Sequence, residues 1–260
     1  MADWLTLEPL DLALALVPMG GALALSSWQR LELEGQIVLA TGRACLQLAA
    51  LGYALGAVFV LDAPWAVALA LAVMITVAAL AARNRISRRL PRLLPLNWGA
   101  LLASSTLTLG YVLVAIGQPP SWHEPQYLIP LAGMTVGNAA SSATVAGERL
   151  VDTLSRSRSA IETHLSLGAT PRQAATPYRQ AAVRAGMLPA LNQMSVVGLA
   201  TLPGLLAGQL LGGIDPLNAA AYQGLVLVMQ AAASAVATLL VAEGVYRQFF
   251  NRNAQLIDPR

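Results

Sequence analysis

Residues 64–92 read PWAVALALAVMITVAALAARNRISRRLPR. From Pro64 to Ala82 there is no charged side chain, and then Arg83, Arg85, Arg88, Arg89 and Arg92 crowd into the next ten positions. An uncharged run of about 20 residues, wound as a helix, covers the roughly 30 Å of a bilayer's hydrocarbon. A helix is the form that satisfies every backbone N–H and C=O without water. Barrel strands need apolar and polar residues to alternate, and Ala66-Val67-Ala68-Leu69-Ala70-Leu71 shows no such alternation. The arginines mark where the chain leaves lipid, and by the positive-inside rule that side is the cytoplasm.

The whole chain follows this pattern. Of its 260 residues 56% are hydrophobic and only 11% charged, against about 25% charged in soluble domains. Seven stretches are long and apolar enough to span: about 9–28, 37–60, 64–82, 97–117, 127–147, 187–211 and 219–242. Trp28, Trp65, Trp98, Trp122, Tyr127 and Tyr222 sit near span ends, where interfacial aromatics belong. With seven spans every arginine falls on one side, while Asp3, Glu8, Asp62, Glu124 and Asp215 fall on the other. The prediction is an all-α integral membrane bundle of about seven transmembrane helices in one domain, 1–260. Its N-terminus lies outside, its C-terminus in the cytoplasm, and a cytoplasmic segment, 148–186, separates spans five and six. Asp3, Glu8 and Asp11 precede the first apolar run without a positive region, so no cleaved signal peptide is predicted.

Several chemistries are excluded by composition. All 16 basic residues are arginine, so no Walker A loop, whose lysine must reach the phosphates, is encoded here. Schiff-base chemistry is excluded on the same ground. The single Cys45 allows no intrachain disulfide. His123 and His164 have no partner at metal-ligand spacing and read as surface residues. Met134, Met187, Met194 and Met229 are soft thioethers, in apolar spans more often packing than ligand. No nucleophile–base pair points to hydrolysis, and the arginines flank spans rather than form a nucleic-acid patch. No enzyme, no cofactor and no nucleic-acid partner are expected in this chain, and any metal ligands are unknown. Carboxylates at mid-membrane, usual in ion-driven carriers, are lacking, which points to an energy source outside the chain.

Span five carries the densest signal. Gly133, Gly137 and Ser141 recur every four residues, a small-residue face on which another helix can lie close. Gly204 and Gly208 repeat the device in span six, next to Pro203, where the helix is expected to kink. Pro18-Met19-Gly20-Gly21 predicts a similar break in span one. Around span five cluster Met134, Thr135, Asn138, Ser142, Thr144 and Glu148, and span six answers with Asn192, Gln193, Ser195 and Gln209. Together with Ser141 these are the candidate lining of a polar path; hydrogen bonding between helices is the alternative reading.

The 148–186 segment alternates charge with Leu154, Ile161, Leu165 and Leu167, then breaks at Gly168-Ala169-Thr170-Pro171. Thr170 fits an N-cap and Pro171 a first helical residue. Two short helices about this turn make a knob suited to a partner's groove; the alternative is a hairpin lying on anionic lipid.

Glu162 to Pro171 resembles the EAA-type coupling loop of ABC importer permeases, with Thr163 and His164 in place of its alanines. A closer resemblance is to the FetB/YbbM-type family of iron-export permeases, whose plant relatives are linked to aluminium tolerance. It rests on Gly133-Met134-Thr135-Val136-Gly137-Asn138, Ser142 to Ala146, Glu148-Arg149-Leu150, Leu167 to Pro171, Val197-Gly198-Leu199, Leu202-Pro203-Gly204, Gly208-Gln209 and Gly212-Gly213. Ala140-Ser141 departs from that family's Met-Asn. The resemblance implies a permease subunit of an ABC-type exporter in the plasma (bacterial inner) membrane, exporting iron or another metal. It implies a homodimer, and a separate cytoplasmic ABC ATPase that binds ATP-Mg and docks on Glu162, Leu167, Gly168, Ala169, Thr170 and Pro171. Competing readings are a permease for a nucleotide sugar or other small polar solute, an ion-gradient-driven carrier, and a non-transporting membrane adaptor.

Overall fold

Proline opens five of the helices. Pro18, Pro64, Pro125, Pro171 and Pro216 each stand in a first turn, where the missing N–H would have had no helical acceptor anyway. The computed structural model describes residues 14, 16–61, 63–115, 124–251 and 255–257. Asp62, Trp122, His123, Arg252, Arg260 and most of the first sixteen residues lie outside that set. Among the described residues the structure is helical, and it falls into two units, Met1–Val60 and Leu61–Arg260.

The first unit holds α1, Val17–Gln29, and α2, Glu34–Leu61. Arg30 and Glu32 take left-handed φ angles of 53° and 56° between them, and the buried Ser26 hydroxyl donates to Glu34 at 2.7 Å across the turn. The Pro18-Met19-Gly20-Gly21 break is corrected: Pro18 starts α1, and Met19 to Gly21 continue it without interruption. No side chain of α2 is buried, although Val38, Leu39, Leu46 and Leu48 line it. Such a surface is compatible with lipid and not with water.

The second unit is built on α3, Pro64–Ile86, α4, Leu93–Ala115, α5, Pro125–Arg156, α7, Pro171–Val196, and α9, Pro216–Gln248. Two short helices, α6, Arg158–Ser166, and α8, Gly204–Leu211, stand at the ends of α7. Helix α5 is the centre: α3, α4, α7 and α9 all pack on it, and α9 also packs on α4, α7 and α8. One apolar cluster runs from Ile75, Val136 and Ala139 through Ala143, Leu150 and Ala237 to Leu154, Ile161, Val245 and Phe249. A second, around Leu109, Leu131, Val226 and Met229, closes the other end. By length and composition α2, α3 and α9 can each cross a bilayer, while α4 and α5 are as long but interleave Ser, Thr and Asn.

The structure redraws the region between spans five and six. Helix α5 does not stop near Gly147 but continues to Arg156. The reason is its apolar stripe, Ala143, Ala146, Leu150 and Leu154, which keeps a buried partner surface past the end of the uncharged run. At 1.5 Å per residue α5 is about 48 Å long, well beyond the hydrocarbon thickness. The expected pair of short helices is one short helix, α6, and one of 26 residues, α7. Helix α7 passes through Gly186 without a boundary and takes up the first part of span six. Span six itself is not a kinked helix but a broken one. Helix α7 ends at Val196, Gly198 turns with φ +80°, Val197 bridges to Thr201, and Pro203 leads into the eight residues of α8. Helix α8 is about 12 Å long, too short to cross alone.

Candidate functional site

Close packing about Gly186 defines the candidate site. A Cβ on Gly186 would lie 2.6 Å from the Ser142 carbonyl oxygen, 2.9 Å from Ala146 Cβ and 2.9 Å from Thr238 Cγ2. Helices α5, α7 and α9 therefore meet at a point where only glycine fits. Ser142 and Thr238 share that level, and Tyr127 and Tyr222 meet further along at 6.5 Å between ring centroids. The two contacts have almost the same sequence offset, so α9 runs parallel to α5 and in step with it. That register brings Gln230 to the level of Met134 and Thr135, and Ser234 to the level of Asn138.

The polar residues of α5 divide by face. Thr135, Ser142 and Thr144 are buried, and the Thr135 and Thr144 hydroxyls donate to the Leu131 and Ala140 carbonyls of their own helix, each at 2.7 Å. Gly137 and Ser141 are exposed, with Met134, Asn138 and Glu148 half-buried beside them. Asn138 Nδ2 donates to the Met134 carbonyl at 3.1 Å, and Glu148 pairs with Arg85 of α3 at 3.4 Å. Gly133 is pressed by Met74 of α3, whereas a Cβ on Gly137 would meet nothing within 4 Å. The small-residue face is thus half occupied by this chain and half open.

Asn192, Gln193 and Ser195 are all exposed on the last turns of α7, and Ser195 donates to the Leu191 carbonyl at 2.9 Å. Gln209, past the break, is half-buried with its Oε1 atom enclosed and unpartnered. Gly204 and Gly208 are exposed with open space around them.

Gln223 and Gln230 of α9 were not among the sequence candidates. They are 5% and 6% exposed, and each has a buried Oε1 with no hydrogen-bond partner. Ser234, fully buried on the same face, also has an unpartnered hydroxyl. A buried acceptor left unpaired costs about 1–3 kcal/mol, and more weight falls on such groups in lipid, where water cannot repair them. The signal was present: two glutamines seven apart in an apolar span share one helix face. Among the described residues no three His, Cys, Asp or Glu come together to hold a metal ion. The donors along α5 and α9 are amides, hydroxyls and thioethers.

The knob is well defined. Ile161 is fully buried and pins α6 to the cluster containing Leu150 and Leu154. Glu162 accepts from Arg158 at 2.8 Å, and Leu167 stands 80% exposed at the tip. Gly168 has φ +90°, and its N–H and that of Ala169 donate back to the carbonyls of Leu165 and His164, each at 3.0 Å. Only glycine enters that left-handed turn without strain. Thr170 and Gln173 then exchange side-chain and backbone bonds in a capping box, with Pro171 in the first turn of α7. Gln255 and Leu256 of the C-terminal stretch line a cleft of about 590 Å³ with Arg158, Glu162, Leu165, Ser166 and Ala169.

Where the chain resumes the bundle, Arg179 of α7 pairs with Glu243 of α9 and lies 5.0 Å from the centre of the Tyr246 ring. Glu243 also accepts from Arg247 at 2.9 Å. The Tyr246 phenol is raised above its ordinary pKa, first by burial and then by the Glu243 charge, with Arg179, Arg172 and Arg247 pulling the other way.

The model of an uncharacterised protein family, UPF0014, matches residues 9–250. A UPF0014 membrane protein of Synechocystis, slr1647, is 51% identical over 95% of this chain and 95% of its own length. The Arabidopsis protein ALUMINUM SENSITIVE 3 is 34% identical over 94% of this chain and 88% of its own. The protein of Escherichia coli K12 described as "Probable iron export permease protein FetB" is 32% identical over 97% and 95%. No solved structure matches.

Proposed function

Because the chain belongs to the UPF0014 family and is a multi-pass membrane protein, we propose that it is the permease subunit of an ABC-type exporter whose cargo is iron or another metal. The observation that carries the reading is the knob. A nine-residue helix is held rigidly at the end of two long helices, with an exposed leucine and a capped, glycine-closed turn at its tip. A rigid projection of this kind transmits force between a membrane bundle and a partner, and Glu162 with Leu167 to Pro171 forms its contact face. The FetB relative, named for iron export, supports the cargo.

In this reading seven helical passes place the arginine-rich ends and the knob in the cytoplasm. Two copies pack through the open half of the α5 face at Gly137 and Ser141, with the knob of each seated on a separate ATPase. Cargo moves beside α5, α8 and α9, where Asn138, Gln209, Gln223 and Gln230 offer neutral oxygens and amides. Such groups suit a hydrated or chelated cation that must be released again, because they replace water ligands without trapping charge.

The test is co-purification of the ATPase with the full-length permease, then ATPase stimulation in proteoliposomes by Fe²⁺, Fe³⁺ chelates, Al³⁺ and UDP-sugars. Iron stimulation, abolished by Gly168→Asp with membrane insertion intact, is the expected result. Stimulation by UDP-sugars alone overturns the metal cargo. Ion-gradient-driven flux without nucleotide overturns the ABC assignment, and full coupling in the Gly168→Asp variant overturns the coupling role given to Glu162 and Leu167 to Pro171.

A further inference from the structure

One side of α7 carries a concentration of positive charge that the proposed transport reaction does not use. Arg172, Thr176, Arg179, Gln180 and Arg184 of α7 line a cleft of about 590 Å³ together with Leu239 of α9. Their spacing puts them along one strip of the helix, over about three turns. Only Arg179 has a carboxylate partner, Glu243, which Arg247 shares. Among the described residues neither Arg172 nor Arg184 lies within ion-pair distance of an Asp or Glu, and both are exposed. The cleft therefore keeps a surplus of positive charge, with a hydroxyl and an amide set among the guanidiniums.

What lies beside the charge identifies the ligand. One turn and two turns beyond Arg184 come Leu188 and Leu191, 49% and 50% exposed, and Leu239 and Leu240 of α9 are 55% and 40% exposed. Leu188 and Leu191 continue the Arg184 strip of α7 by helical spacing, and Leu239 lines the cleft itself, so the cationic, hydrogen-bonding groups border bare leucines where α7 and α9 pass into the apolar part of the bundle. A soluble anion matches the first half of this arrangement only. A phosphodiester with acyl chains attached matches both, with its phosphate oxygens taking bidentate arginine bonds and its chains lying on the leucines.

We propose that this cleft is a binding site for the headgroup of an anionic phospholipid, annular to the α7–α9 pair and separate from the cargo path. Bound there, the lipid neutralises Arg172 and Arg184 and clamps α7 against α9 beside the Gly186 contact.

The test uses the full-length permease in detergent, titrated with phosphatidylglycerol, with phosphatidylcholine, or with inorganic phosphate, and followed by thermal unfolding and by native mass spectrometry. Phosphatidylglycerol is expected to raise the melting temperature and remain bound, while phosphatidylcholine and millimolar phosphate do neither. Because Arg172 and Arg184 are exposed, Arg172→Gln/Arg184→Gln should fold normally, and it should bind phosphatidylglycerol about 25-fold more weakly, at about fivefold per arginine. Arg172→Lys/Arg184→Lys should recover most of that loss. Equal binding of phosphatidylcholine, equal stabilisation by inorganic phosphate, or unchanged phosphatidylglycerol affinity in the glutamine variant would each overturn the site.

Discussion

Replacing Gly186 by alanine tests the architecture at its tightest point. The added methyl would sit 2.6 Å from a main-chain oxygen of α5, and 2.9 Å from both Ala146 Cβ and Thr238 Cγ2. Ordinary contacts of this kind begin near 3.5 Å, so α7 must withdraw by roughly half an ångström to one ångström from two neighbours at once. No flexible side-chain end is available to yield, since the obstacles are a carbonyl, an alanine methyl and a fully buried threonine. Overpacking of this sort costs about 1–3 kcal/mol, and alanine's better helix propensity returns about 1 kcal/mol. With three obstacles and no flexible end among them, the site falls in the upper part of that range, about 2–3 kcal/mol, so the net loss is about 1–2 kcal/mol. Thermal unfolding of the purified protein in detergent, read by near-ultraviolet circular dichroism, gives the comparison. Gly137→Ala, where no atom lies within 4 Å of the new methyl, is the control and should be neutral or slightly stabilising in the monomer. A Gly186→Ala protein as stable as the parent would refute the three-helix contact, and with it the α5–α9 register built on it.

Other outcomes follow from the same geometry. Gln230→Met removes an unpaired buried acceptor at near-constant volume; it should leave stability unchanged or raise it by about 1 kcal/mol, while cargo-stimulated ATPase activity falls at least tenfold. A rise in stability with full activity would remove Gln230 from the path. Arg179→Gln leaves Glu243 less than a third exposed with only Arg247 as partner; a loss of about 1–3 kcal/mol is expected, below the figure for a fully buried pair because water reaches both groups. A melting temperature equal to the parent's would show the pair to be of no structural consequence. For Tyr246 the folded pKa lies above the unfolded value, so its contribution is complete below pH 10 and is lost as the pH rises past 10 towards the folded pKa. Tyr246→Phe should flatten that alkaline limb of the stability curve, and an unchanged limb would place the titration elsewhere.

Much of this molecule is legible in its sequence because the bilayer imposes a local rule. Hydrocarbon demands long uncharged helices wherever the chain enters it, so residues 64–92 alone identify the class, and Gly168-Ala169-Thr170-Pro171 announces its own turn and cap. The resemblance to the FetB/YbbM-type family could be read from the same kind of short, local pattern around Gly133–Asn138 and Leu202–Gly204. What failed was local reading of boundaries that tertiary packing sets. Helix α5 runs on to Arg156 because Leu150 and Leu154 find buried partners. Helix α7 ignores the expected boundary at Gly186 because that glycine is where three helices touch. Past Val196 the Gly198 turn and Pro203 combine to separate two helices rather than bend one.

The candidate site divides in the same way. Sequence singled out Thr135, Ser142 and Thr144 by polarity, yet polarity does not say which way a side chain faces, and two of the three spend their hydroxyls on their own helix. The spacing of Gln223 and Gln230 puts them on one face of α9, but only the packed structure shows that both are buried and that their carbonyl oxygens have no partner. Hydropathy is a property of one segment against its solvent, so the sequence alone determined that this chain is helical and lives in a membrane. Burial and hydrogen-bond satisfaction are properties of segments against one another, so only the tertiary structure decided where the helices break and which buried polar groups are left unpaired.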